Sequence, residues 1–274
     1  MQAGQIDNPI LPAPPEPFAL IAGEAMRNAS YDMIEQAFRQ MGLRPERAAD
    51  GDTDPLVEAP SFRLRFASLP VIAGRASVDT LDMADPRHPS TSQLAASLPG
   101  DWRGDGRCWV FVPENTGTAV GAAQPVRMRE FFKMMVLLID LFDASHLFWS
   151  PARLWSDSPQ FRASVAEMLT SGMPPVLHLV AFRHRQTGDG AVVRTRGLAL
   201  FGGQEIEGRM PPGWTVAEMV KRLARLSLDI ILNGPVAERR RVRGLEPGEW
   251  VSLSPAPGGT PQRSTLLVEF GRDF

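Results

Sequence analysis

The residues with the strongest claim to chemistry lie in one stretch, from Val176 to Glu207. His178 sits in an apolar run, Arg194-Thr195-Arg196-Gly197 follows a turn, and Glu205 comes just past Phe201-Gly202-Gly203. An arginine fork suits a carboxylate or a phosphate, and paired glycines let a backbone or a ligand approach closely. If the glycine turn folds back, Arg196 and Glu205 border a site for an anion or a peptide carboxylate. Arg194, Thr195, Gly197 and His178 would then surround it. The same residues also read as a solvated strand face with surface ion pairs, which contribute little. On a strand, Arg194 and Arg196 share one face and Thr195 and Gly197 the other. His178 shares a strand face with Val176, Val180 and Phe182, the pattern of a histidine packed into a core.

The remaining reactive side chains form no diagnostic set. No two of His88, His146, His178 and His184 have the i, i+4 spacing of a helical zinc pair. The single cysteine, Cys108, allows no intrachain disulfide and no cysteine zinc site, and reads as a small core residue. Phosphate-loop, nucleophile-elbow and dinucleotide motifs are absent. Gly188-Asp189-Gly190 lies in a hairpin with no helix behind it to offer N–H groups to a phosphate. The expectation is therefore no catalytic residue, no metal and no cofactor. Trp149 and Trp155 bracket a proline turn and Trp102 and Trp109 a glycine-rich one. Such aromatics either anchor a partner or close the end of a core.

Arg239-Arg240-Arg241-Val242-Arg243 is the one basic run. Glu238, Glu246 and Glu249 flank it and the net charge is −2, so no nucleic-acid partner is expected. Of the 29 basic residues only Lys133 and Lys221 are lysine, an excess of arginine that codon bias explains as well as function does. Apolar residues make up 43% and charged residues 22%, ordinary for a globular chain. The N-terminus lacks a basic stretch followed by an apolar one, and the longest apolar run, Met134 to Ile139, is six residues. Neither a secretory signal nor a membrane span is expected, which makes cytoplasmic the default. A protein partner fits this profile; its identity and the oligomeric state are not written in the sequence.

The elements that position these residues follow from periodicity. Residues 1–17, with five prolines between Asn8 and Pro17, form a flexible arm. Residues 18–124 form an N-terminal α+β half. It has strands at Phe18–Ala22, Phe62–Phe66, Leu69–Ala76 and Arg107–Val112, a helix capped by Ser30 and a short helix at Thr91–Leu98. Residues 125–274 form the second half. It opens on a long helix from Pro125 to about Asp143, with Met128, Phe131, Phe132, Met135, Leu138, Ile139 and Phe142 at helical spacing. A strand at His146–Ser150, a helix from Ser158-Pro159, strands at Val176–Phe182 and Val192–Phe201, a helix with a Thr215/Glu218 capping box, and strands at Trp250–Leu253 and Thr265–Phe270 complete it. That order is β-α-β-β-α-β plus one strand, a split βαβ pattern. The expected fold is α+β, with two ferredoxin-like halves packed as one body and antiparallel sheets carrying helices on one face.

Residues 146–270 carry a family resemblance. Leu147-Phe148-Trp149-Ser150-Pro151, His178, Arg194-Thr195-Arg196-Gly197-Leu198, Phe201-Gly202 and Gln204-Glu205-Ile206 resemble a bacterial family of uncharacterised proteins, domain of unknown function 4261. There a threonine-arginine- or histidine-glycine-leucine strand leads to a phenylalanine-glycine turn and an acidic residue. The resemblance implies a folding unit and supplies no catalytic residue. The expected function is a non-enzymatic cytoplasmic interaction or adaptor protein. The alternative is a small-molecule or anion-binding protein, conceivably an enzyme, with its site near Arg196 and Glu205.

Overall fold

The computed structural model describes residues 17–25, 28–48, 54–94, 98–104, 106–114, 123–188, 190–256 and 264–272. The Pro-rich arm up to residue 16 lies outside them. The chain is mixed α+β and divides into two compact units, Met1–Glu114 with Leu138–Asp157, and Asn115–Leu137 with Ser158–Phe274.

The first unit contains β1 (Ala19–Gly23), α1 (Tyr31–Gln40), β2 (Glu46–Arg47), β3 (Phe62–Phe66), β4 (Leu69–Arg75), α2 (Val78–Met83), β5 (Ser92–Gln93) and β6 (Cys108–Pro113). It also takes the end of α3 (Ala123–Phe142), then β7 (Ala144–Trp149) and β8 (Leu154–Asp157). Its sheet runs β2-β3-β4-β6-β1-β7-β8-β5, antiparallel except at β5 with β8. The central strands β1 and β6 are buried along their whole length, which is why they read as unbroken apolar runs rather than alternating ones. On one face, Phe38, Phe62, Trp109 and Phe142 pack ring against ring. Leu20, Cys108, Val110, Phe148 and Trp155 fill a second cluster. Cys108 donates its thiol to the Trp102 carbonyl, and burial pushes its pKa up to about 12. It is a core residue, not a nucleophile.

The second unit contains α4 (Ser158–Ser171), α5 (Val176–Leu179), β9 (Ala181–Thr187), β10 (Gly190–Arg196), α6 (Ala199–Gly202), β11 (Gln204–Arg209), α7 (Val216–Asn233), β12 (Arg240–Arg243), β13 (Glu249–Pro255) and β14 (Ser264–Arg272). Its sheet runs β12-β13-β14-β11-β10-β9, with only β11 and β14 parallel. Val193, Ile206, Val251, Leu253, Leu266 and Val268 are buried. α7 covers this face: a side chain on Gly208 of β11 would meet Met219 and Leu223. The Thr215/Glu218 capping box starts α7 as its sequence requires. Arg222 of the same helix grips Glu249 through Nε at 2.8 Å and Nη2 at 2.6 Å, both side chains being buried. A bidentate pair of this kind is costly to break, because one charge is left alone in the interior.

Four expectations are corrected. The strand at 146–150 pairs with β1 and β8 in the first sheet, so the second sheet loses the strand that should open a split βαβ order. The units therefore do not part at residue 124. Val176–Leu179 is a helical turn, not a strand; Pro174 and Pro175 precede it, and a short apolar run does not by itself distinguish helix from strand. The return strand ends at Arg196, and Ala199–Gly202 is helical. Ser92–Gln93 is a two-residue strand where a helix was expected. Besides β5, four strands, β2, β8, β11 and β12, were not anticipated; in β11 charged residues mask a half-buried alternation, and β12 has no buried residue.

Candidate functional site

A β9–β10 hairpin forms about the expected turn, but over Ala181–Thr187 and Gly190–Arg196 rather than 176–182 and 192–201, with Thr187 opposite Gly190 and Phe182 opposite Thr195. Gly197 leaves β10 at φ 95°, a conformation side chains rarely adopt. The chain then makes the α6 turn, ends it on Gly203 at φ 68°, and returns as β11. Gly202 lies against the Ile230 side chain, so the glycine pair is occupied by α7 packing rather than by an open gap.

Glu205 holds this turn together. Its Oε2 accepts from Thr195 Oγ1 at 2.7 Å, and its Oε1 accepts the N–H groups of Gly197 at 2.8 Å and Ala199 at 3.2 Å. Thr195 Oγ1 in turn accepts the Ile206 N–H at 2.7 Å. The carboxylate thus stands where strand hydrogen bonds would otherwise continue. Burial raises the Glu205 pKa, while the bonds from Thr195, Ala199 and Gly197 and the charge of Arg194 pull it the other way without reversing the shift.

The other candidate residues disperse around this knot. Arg194 is half-exposed, 4.0 Å from Glu207, with Nη2 3.5 Å from Thr265 Oγ1. Arg196 is 8% exposed, so its fork is not offered on the open surface. His178 belongs to α5, is 5% exposed and meets the Phe161 ring edge-on at 5.7 Å. It shares no strand face with Val180 or Phe182. The structure therefore joins Thr195, Gly197 and Glu205 into one constellation, with Arg194 beside it.

Sequence reasoning missed the backbone partners Ala199 and Ile206, and also Arg183, which lies directly opposite Arg194. The hairpin turn held that last signal: once Thr187 and Gly190 are paired, Arg183 must face Arg194. Arg222, the charge in α7 that grips Glu249, was overlooked because it interrupts an otherwise apolar stripe. Among the described residues no group of three or more His, Cys, Asp or Glu side chains could hold a metal ion. No described helix is long and apolar enough to cross a membrane. The chain matches no family model, no curated protein and no solved structure.

Proposed function

We propose that this is a non-enzymatic interaction protein of the cytoplasm. One observation carries the reading: both oxygens of Glu205 are engaged by Thr195, Gly197 and Ala199. The one carboxylate that the candidate site offers for acid–base work or ligand capture is committed to holding a turn. A catalytic carboxylate needs an oxygen facing its substrate. The likeness to domain of unknown function 4261 stands as part of the same proposal. Its threonine, glycine and acidic residue correspond to Thr195, Gly197 and Glu205, and a turn-holding knot suits a folding unit. Affinity purification of the tagged full chain from its native host, followed by mass spectrometry, tests the reading. Reproducible capture of a small set of proteins supports it. Capture of none, together with a melting-temperature rise on adding a small metabolite, overturns it in favour of a ligand-binding protein.

A further inference from the structure

Of Asn8, Asn28, Asn115 and Asn233, only Asn233 is followed by glycine. The fold fixes that neighbour. Gly234 caps α7 at φ 89°, and a positive φ at a helix end favours glycine. A Cβ on Gly234 would meet nothing within 4 Å, so the backbone there is uncrowded. With hydrogen in place of a side chain, the Gly234 nitrogen has free approach to the amide of Asn233, which is exposed at the last position of α7. Two hydrogen bonds stand against that approach. Gly234 donates its N–H to the Ile230 carbonyl at 2.9 Å, and Asn233 Nδ2 donates to Asp229 Oδ1 at 2.7 Å. Both belong to the last turn of a helix, where opening is easiest. Just beyond, the Gln204 side chain holds the Val236 N–H at 2.9 Å and its carbonyl at 2.8 Å. This clamp ties the chain leaving α7 to the first residue of β11.

We propose that Asn233 is a self-modification site: it deamidates in the folded chain at a rate set by opening of the last turn of α7, and the product loosens the Gln204–Val236 clamp. The Gly234 nitrogen, having lost its proton to water or hydroxide, bonds to Cγ of Asn233. The Cγ–Nδ2 bond breaks and ammonia leaves, which closes a five-membered succinimide. Water then opens the ring. Parting the ring nitrogen from Cγ gives aspartate; parting it from the main-chain carbonyl carbon gives isoaspartate. The sum consumes water and releases ammonia, with no oxidant or reductant. Either product puts a carboxylate at the C-terminal end of α7, where the helix dipole disfavours an anion, and one turn from the Asp229 carboxylate. Isoaspartate also adds a methylene to the main chain just before Val236, so the segment no longer fits the Gln204 side chain that holds it.

The experiment incubates the full chain beside a synthetic peptide of residues 229–237 in one mildly alkaline buffer. Peptide mapping by mass spectrometry follows aspartate and isoaspartate at residue 233. The chain should convert about 10-fold or more slowly than the peptide, because its two hydrogen bonds must open first. Asp229→Ala should speed conversion about 3-fold or more while staying slower than the peptide, as a folded variant must. Asp229→Asn, whose side-chain oxygen still accepts from Asn233, should keep the parent rate. In the isolated isoaspartate form, hydrogen exchange at Val236 should be faster than in the parent. A chain that gains no acid at residue 233 while the peptide reacts overturns the proposal. So do equal rates in chain and peptide, an Asp229→Ala rate equal to the parent's, an Asp229→Asn rate equal to that of Asp229→Ala, or unchanged exchange at Val236.

Discussion

Glu205 accepts two backbone N–H groups and a hydroxyl, and it does so although burial favours its neutral form. The Thr195 hydroxyl reconciles the two. With Glu205 ionised, Thr195 donates to it; with Glu205 protonated, the acid donates to Thr195, whose own hydrogen turns to the Ile206 carbonyl 3.4 Å away. Glutamine reproduces the second arrangement, its oxygen taking the N–H groups and its amide donating to Thr195. Because the folded pKa is raised, the contribution of this group to stability is fully present below its unfolded value, about 4.3, and is lost as pH rises through the folded value. Glu205→Gln is therefore predicted to match or exceed wild-type stability at neutral pH, with the advantage vanishing near pH 4. Glu205→Ala orphans Gly197 and Ala199 and should cost about 2 kcal/mol. Urea titrations of the three proteins at several pH values check both statements. An alanine variant as stable as wild type would show that the carboxylate does not hold the turn.

At the scale of elements, α3 is apolar on nearly every side, and Phe131, Met134, Met135, Leu138 and Phe142 are fully buried. Helical spacing alone made this legible. The apolar stripe covers most of the circumference and leaves a narrow accessible edge at Arg129, Lys133 and Asp140. Leu138→Asp places an unpaired carboxylate in that interior and is expected to cost about 4 kcal/mol, a large part of a domain's usual margin. Lys133→Ala removes only the i, i+3 pair with Glu130 and should shift stability by about 0.5 kcal/mol. Thermal melts of the two variants separate them. A Leu138→Asp melt coincident with wild type would remove α3 from the core.

At the scale of the whole molecule, both units are discontinuous in sequence, and the chain passes between them at residues 114, 137 and 157. A cut between residues 124 and 125 falls at no boundary of either unit. The fragment 1–124 lacks β7, the strand beside β1, and lacks Phe148 and Trp155 from its core. Each lost aromatic removes about 2 kcal/mol of burial, on top of the lost ladder. The fragment is predicted not to fold, as judged by circular dichroism and the absence of a cooperative melt. A cooperative transition in 1–124 would mean that the first sheet does not need β7 and β8.

The sequence by itself determined the mixed α+β class, α1 with its Ser30 cap, α3, α4, the capping box of α7, the β9–β10 hairpin and most strands of the first sheet. Local physics decides these: helical periodicity, side-chain caps and turn residues act over a few positions and leave their pattern in the chain. Thr195, Gly197 and Glu205 were legible as a group for the same reason, since they are close in sequence. Only the tertiary structure decided which sheet receives the strand at 144–149, because strand pairing is long-range and its apolar pattern suits either partner. It alone showed that Val176–Leu179 is helical, that Arg196 is buried, and that Glu205 accepts the Gly197 and Ala199 N–H groups. Whether a polar side chain meets solvent, a partner or its own backbone depends on what the fold brings against it, and residue type does not encode that.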